Sequence, residues 1–228
     1  SGKADMISMA RPFLADPDFI IKAKEQRADE INTCIACNQA CLDHIFKNKL
    51  TSCLVNPRAC HEDQFKSYPA TTSKSIAVIG AGPAGLSFAT EAAKRGHKVT
   101  LFEKNSEIGG QFNLAKRIPG KEEFHETIRY FKKQIELLNI KLILNTEVTK
   151  EVLQKNRYED IIFTTGISPR TPKIEGIDHE KVISYTDLIL GKKLAGKKVA
   201  VIGAGGIGFD VSESVSYTHL RAHETDSY

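Results

Sequence analysis

The sequence predicts an α/β fold in which a strand–glycine loop–helix unit occurs twice, with a cysteine-rich segment ahead of both. Three observations predict it. The apolar runs Ile76-Ala77-Val78-Ile79 and Val199-Ala200-Val201-Ile202 have the continuous texture of parallel strands buried on both faces. Each run leads directly into a glycine motif, Gly80-Ala81-Gly82-Pro83-Ala84-Gly85 in the first case and Gly203-Ala204-Gly205-Gly206-Ile207-Gly208 in the second. All five cysteines lie between Cys34 and Cys60, and the rest of the chain carries no thiol.

The elements follow in order. Residues 1–30 read as a short strand over Asp5 to Met9, a loop at Arg11-Pro12, and a helix capped by Asp16 or Asp18 with Pro17 in its first turn. Periodicity is weak through the cysteines, and Ser67-Tyr68-Pro69-Ala70-Thr71-Thr72-Ser73 reads as a linker. A strand over Ile76 to Ile79, a helix to Arg95, a stop at Gly96 and a strand over Val99 to Phe102 make a βαβ unit of about 30 residues. Phe124, Ile128, Phe131, Ile135 and Leu138 fall at helical spacing and mark a core-packing amphipathic helix. Leu142-Ile143-Leu144 and Ile161-Ile162-Phe163 read as further strands.

Composition sets the outer limits. With 228 residues, 41% hydrophobic and 26% charged, the chain is long and apolar enough for one large domain or two modest ones, which excludes wholesale disorder. No apolar run approaches the ~18 residues of a membrane span. The net charge is +4, and bases alternate with acids, so nothing points to nucleic acid. The opening Ser1-Gly2-Lys3-Ala4-Asp5-Met6 has no basic-then-apolar signal and no initiator Met, which predicts a chain that begins inside a larger one.

The first glycine motif has the context that gives such a pattern weight: strand before, helix after. Gly80 permits the tight turn, Gly82 lets the backbone approach a pyrophosphate, and Gly85 lets helix and strand pack closely. The helix N-terminus supplies unpaired N–H groups and partial positive charge for the phosphates, and Pro83 costs little there. Glu103, at the end of the second strand, stands where an acid should accept hydrogen bonds from a ribose. Gly203, Gly205 and Gly208 repeat the pattern. Two motifs predict two dinucleotides, most simply a flavin and a nicotinamide; the alternative is a duplicated fold with one idle site.

The cysteines read Cys34-x2-Cys37-x3-Cys41-x11-Cys53, with Cys60 left over. Four thiolates suit a 4Fe–4S cluster. A structural zinc more often takes two separated C-x2-C knuckles, and the second pair is missing, so iron–sulfur is favoured and zinc stays open. Cys60 is expected to be a buried thiol or a substitute for Cys53, and His44 and His61 to be structural, with a role as zinc ligands left open. Thiols confined to one segment suggest a reducing, cytoplasmic compartment.

Cys34-Ile35-Ala36-Cys37-Asn38-Gln39-Ala40-Cys41-Leu42-Asp43 and Thr51-Ser52-Cys53-Leu54-Val55-Asn56-Pro57, with the two glycine motifs in the same order, resemble the old-yellow-enzyme group of iron–sulfur flavoproteins. The wording is most similar to the NADPH-dependent 2,4-dienoyl-CoA reductase branch, over roughly residues 1–213. The resemblance implies the end of an FMN-binding TIM barrel over 1–30, a 4Fe–4S segment and linker over 31–73, the first part of an FAD domain over 74–196, and the start of an NAD(P) domain over 197–214. These last two are Rossmann-like.

The resemblance also implies site residues. Ala10 and Arg11 would contact the FMN phosphate. Ala84, Glu103, Gln111 and Val148 would touch FAD, and Thr165-Gly166 resembles a second flavin signature. Cys34, Cys37, Cys41 and Cys53 would bind the cluster. Electrons would then run from NADPH through FAD and the cluster to FMN and an unsaturated acyl-CoA. Relatives in the group act as enoate reductases or amine dehydrogenases, and a non-catalytic zinc and dinucleotide module is the rival class. No residue here is a candidate catalytic acid, because the barrel residues that act on the thioester are absent from the sequence. Residues 215–228 leave the family pattern and resemble a translated cloning scar. Much of each core is missing by this reading, so exposed apolar surface is expected.

Overall fold

The structure is a computed structural model that describes residues 2–225. Short helices α1 (Arg11–Ala15), α2 (Phe19–Lys24) and α3 (Leu42–Phe46) precede β1 (Ser75–Ile79), α4 (Pro83–Lys94) and β2 (Lys98–Phe102). Then come α5 (Phe112–Ala115), α6 (Phe124–Leu137), β3 (Lys141–Ile143), α7 (Lys150–Asn156) and β4 (Asp160–Phe163), with α8 (Tyr185–Ile189) and α9 (Gly206–Thr225) closing the chain. The chain divides into two compact units: Ser1–Gly109 with Glu123–Thr165, and Gly110–Glu122 with Gly166–Tyr228.

The first unit holds a four-stranded sheet in the order β3-β2-β1-β4. All its pairings are parallel; Val78 lies opposite Leu101 on one side and Ile162 on the other. Parallel strands bury both faces, and the continuous apolar runs supply the side chains for it: Ala77, Val78 and Leu101 are fully enclosed. Pro83 opens α4, where its missing N–H has no intrahelical use, and Gly96, at φ +94°, ends the turn after it. The face of α4 that meets the sheet is made of Gly85, Leu86, Ala89, Thr90 and Ala92, mostly small residues that bring helix and strands close. On α6 the expected stripe is present, with Ile128 and Ile135 buried and Phe124, Phe131 and Leu138 half-buried.

The first residues depart from the sequence reading in several ways. Asp5–Met9 is not a strand: Met6 and Ile7 are 82% and 73% exposed, and no neighbouring strand pairs with the segment among the described residues. Arg11-Pro12 opens α1 instead of lying in a loop, and Pro17 falls between α1 and α2 instead of in a first turn. Asp18 is the N-cap of α2 but makes no side-chain cap bond; its own N–H donates to Asp16 Oδ1 at 3.0 Å.

The second unit contains α5, α8 and α9. Val199–Ile202 does not pair into a strand, and Ile202 is 76% exposed. The cause is the same as at Asp5–Met9: a strand is defined by a ladder of inter-strand bonds, and no partner is present among the described residues. The α9 helix runs on through Val215 to Thr225. Of the segment expected to be foreign, residues 226–228 lie outside the described residues. Apolar side chains that include Phe46 and Leu194 are exposed, in line with expectation. Among the described residues no helix is long and apolar enough to cross a membrane.

A Cβ on Gly85 would fall 1.9 Å from the Gly80 carbonyl oxygen, which is backbone and cannot swing aside. Gly85→Ala is therefore expected to destabilise the first unit by about 1–3 kcal/mol, read as a lower thermal midpoint. An unchanged midpoint would show that the turn relaxes without cost.

Candidate dinucleotide and cysteine sites

β1 has β2 on one side and β4 on the other, and in open parallel sheets the crevice beyond the carboxyl ends of such strands is where ligands bind. The chain leaves β1 there through Gly80, whose φ of +104° is left-handed and whose Cβ would stand 2.5 Å from the Thr164 carbonyl oxygen. The Thr164 hydroxyl is 2.9 Å from the carbonyl oxygens of both Ile79 and Gly80, as their donor. Gly82 caps α4 without a side chain, so the first N–H groups of the helix, that of Ala84 included, are left to an external acceptor.

Glu103 sits at the end of β2 and is 5% exposed. Its Oε2 accepts the Ala81 N–H at 2.8 Å, and its Oε1 accepts the Asn105 backbone N–H at 2.9 Å and side-chain amide at 2.7 Å. The residue read from sequence as a ribose acceptor thus also clamps the glycine loop. A carboxylate has about four acceptor positions, so capacity remains for a ribose hydroxyl. The Thr146 N–H donates to the Glu103 carbonyl at 3.0 Å, which brings the stretch containing half-buried Val148 to the same edge.

The second unit repeats the turn. Gly203 has φ +120°, and a Cβ on Gly208 would lie 2.1 Å from the Gly203 carbonyl oxygen. Gly205 precedes the first residue of α9. Gln111 belongs to this unit, where its Nε2 donates to the Ile167 carbonyl at 3.4 Å.

Cys34, Cys37, Cys41 and Cys53 line one pocket, with Arg11 and Asn38 on its wall. Local backbone explains the convergence. Ala36 and Asn38 both adopt left-handed conformations, φ +53° and +58°, and so turn the chain on each side of Cys37. Cys41 is the N-cap of α3, and the Ser52 N–H donates to the Ala40 carbonyl at 2.7 Å, which draws the Cys53 arm alongside. Burial pushes the Cys53 thiol up, and Cys34 and Cys37 add to it, while the Val55 and Asn56 N–H groups oppose them. Among the described residues no three His, Cys, Asp or Glu side chains converge on one ion. A lone zinc needs each sulfur about 2.3 Å from a common centre. A four-iron cluster is a larger body carried by four separate thiolates, and four cysteines on the lining of one pocket are the donor set such a body takes.

His44 and His61 are not among the residues lining the pocket: His44 Nδ1 is 2.9 Å from the Leu50 carbonyl oxygen, and the His61 ring lies against Phe65. Cys60 is exposed, not buried as expected; its N–H is held by Glu62 and its thiol is away from the pocket wall. Ala10 is the N-cap of α1, and Arg11 Nη1 donates to Asn38 Oδ1 at 3.1 Å, so the two lie beside the cysteine loop.

Two residues without any motif signature hold the pocket together. Asn32 Nδ2 donates to the carbonyls of Ala15 at 3.3 Å and Val55 at 2.8 Å, and so bridges the chain before Cys34 to the chain after Cys53. The Asn32 N–H in turn donates to Asp16 Oδ2 at 2.8 Å. Nothing in residue spacing could have found this arrangement, since Asn32 acts on carbonyls, and Asp16 on an N–H, supplied by remote backbone.

A parallel sheet that ends in a clamped glycine turn, repeated downstream, defines a dinucleotide-binding oxidoreductase. The chain belongs to the pyridine nucleotide-disulphide oxidoreductase family, whose pattern matches residues 74–223. FAD and NAD(P) are the cofactors the family implies, and the two glycine turns suit their pyrophosphates. The chain is 39% identical to the metal reductase of Desulforamulus reducens over 98% of its own length and 34% of that protein. It is 34% identical to the cinnamate reductase of Clostridium sporogenes over 93% of its length and 32% of that protein. A solved 2-naphthoyl-CoA reductase superposes with a TM-score of 0.92 at 40% identity, over 96% of this chain and 33% of that one. The chain thus spans about a third of the length of each. These names cover reductases of several substrates and do not single out the dienoyl-CoA branch.

Glu103→Gln puts an amide where a carboxylate accepts the Ala81 N–H. Charge-assisted bonds of this kind are worth enough that FAD affinity should fall about tenfold or more, measured by fluorescence titration of the flavin-free protein. Unaltered affinity would show that the clamp does not serve the cofactor.

Proposed function

We propose that this chain is the electron-relay portion of an NAD(P)H-dependent reductase acting on conjugated carbon–carbon double bonds of unsaturated acids or acyl-CoA thioesters, with 2,4-dienoyl-CoA as the specific substrate. The observation that carries the reading is the pocket lined by Cys34, Cys37, Cys41 and Cys53 in the same compact unit as the Gly80 turn. Cinnamate and 2-naphthoyl-CoA, the compounds in the names of two similar proteins, are both conjugated carbonyl compounds, and this supports the substrate class.

The residues divide the work. Gly80, Gly82, Ala84 and Gly85 offer backbone N–H groups and close approach to the FAD pyrophosphate, Glu103 offers its remaining acceptor positions to the ribose, and Val148 stands at the adenine side. Gly203, Gly205 and Gly208 do the same for NADP. Ala10 and Arg11 hold the FMN phosphate, a guanidinium being suited to a phosphate by its fork of donors. The four cysteines hold the 4Fe–4S cluster as thiolates, so loading it releases their protons. When bound, these groups split the electron pair of a hydride into single transfers and gather it again. The chain's own contribution is spacing and tuning. The whole enzyme acts in the cytoplasm on a small-molecule substrate, without nucleic acid or membrane.

Cys37→Ala in the full-length enzyme is the direct test. Flavin bleaching by NAD(P)H should persist at the FAD, while iron content falls and FMN no longer receives electrons. FMN reduction at the wild-type rate would overturn the relay. Colourless wild-type protein that carries zinc, after anaerobic purification, would assign the segment to a structural module instead.

A further inference from the structure

The α6 helix belongs to the dinucleotide-binding layer, with Thr127, Ile128, Gln134 and Ile135 buried. From it Arg129 and Lys133, one turn apart, reach the segment 29–33 that leads into Cys34. Arg129 Nη1 donates to the Asp29 carbonyl; its Nη2 donates to the Ile31 carbonyl at 2.7 Å and to Thr33 Oγ1 at 3.3 Å. Its Nε is fixed by Glu126 Oε2 at 2.6 Å, and the Thr33 hydroxyl donates to the same oxygen at 3.4 Å. Lys133 Nζ pairs with Asp29 Oδ2 at 2.8 Å.

This segment leaves the 3-10 turn Ala28–Glu30 through Ile31 in extended backbone and joins no strand, so the guanidinium takes the place of a ladder for its carbonyls. One planar fork meets alternate residues of the segment, a geometry open to arginine and not to lysine. The grip continues inward. Thr33 adjoins Cys34, and Asn32 carries the connection to Val55, beyond Cys53. Both arms of the cysteine pocket are thereby tied to the helix that packs in the flavin-binding layer.

We propose that Arg129 is a positioning residue that fixes the cysteine pocket relative to the Gly80-turn domain and so sets the rate at which electrons pass between FAD and the cluster. This rests on the relay reading above. Arg129 touches neither group; it acts through the 29–33 backbone. Misplacement of reacting centres by about an ångström can cost a factor of a hundred, so a loosened clamp should be visible in rate.

The test uses the full-length, cofactor-loaded enzyme. Wild type, Arg129→Met and Arg129→Lys are compared by iron content, by the EPR spectrum of the reduced cluster, by amide exchange over 29–34, and by stopped-flow rates of the two successive steps. In Arg129→Met, iron content and flavin bleaching by NAD(P)H should match wild type, while exchange over 29–34 accelerates and the FAD-to-cluster step slows about tenfold or more. Arg129→Lys keeps the charge without the fork and should fall between; it carries the test if the methionine variant does not fold. Wild-type enzyme with iron whose Arg129 variants transfer at the normal rate would overturn this inference alone. Wild-type enzyme without iron would overturn the relay reading and this inference with it.

Discussion

The carbonyl oxygen of Gly80 is closely hemmed in. Thr164 donates to it at 2.9 Å, and the Cα of Gly85 is pressed so near that any Cβ there would collide with it. Only a residue tolerant of φ +104° can present that oxygen inward, and only a glycine at 85 can accept it. This one contact draws the N-terminus of α4 onto the carboxyl ends of β1 and β4. The helix N–H groups, the Glu103 carboxylate and the crevice at the sheet edge all take their places from it. The phosphate-binding character of the loop is a consequence of packing that already stabilises the sheet.

The cysteine segment is organised on a different principle. Helices α1 and α2 have five and six residues, far below the length at which a helix is stable alone, so tertiary bonds must hold them. Asp16 supplies these. Its side chain is 4% exposed and pairs with Lys22 at 2.6 Å, and it accepts N–H groups from Asp18 and Asn32. A buried carboxylate is costly unless several donors meet it, and these three make α1, α2 and the Asn32 turn interdependent. The framework is not free of cost: Asn32 Oδ1 is buried with no hydrogen-bond partner. The gain is that one side chain bridges both cysteine arms without a sheet or a long helix. A site built this way has little regular structure, which accounts for the weak periodicity of its sequence.

What was legible in the sequence follows from where the information resides. β1 and β2 were readable because their runs are buried among strands that are also present, β4 because its run pairs with β1 although Phe163 stays exposed, and α6 because its apolar spacing survives any context. The cysteine pocket was readable because spacing along a compact loop limits where thiols can go. The runs Asp5–Met9 and Val199–Ile202 have strand composition but no partner among the described residues, and composition alone does not make a ladder. Arg129 was illegible for another reason. On a helix whose surface alternates charges it looks like a solvated residue, and its three acceptors lie nearly a hundred positions away. Glu103 was half legible: its place at the end of β2 was evident, and its bond to Ala81 was not.

The two glycine turns separate local from tertiary causes. Gly203 and Gly208 repeat the close approach of Gly80 and Gly85, at 2.1 Å against 1.9 Å, although Val199–Ile202 forms no ladder. Six residues and the start of a helix are therefore enough to make the turn. The surroundings differ: a Cβ on Gly203 would meet open space, whereas one on Gly80 would strike the Thr164 carbonyl. The squeeze from β4 is thus added by the sheet and not required by the turn. It follows that the phosphate cradle is a local structure that the sheet later rigidifies, and that position 80 is constrained twice where position 203 is constrained once, by its backbone angle alone.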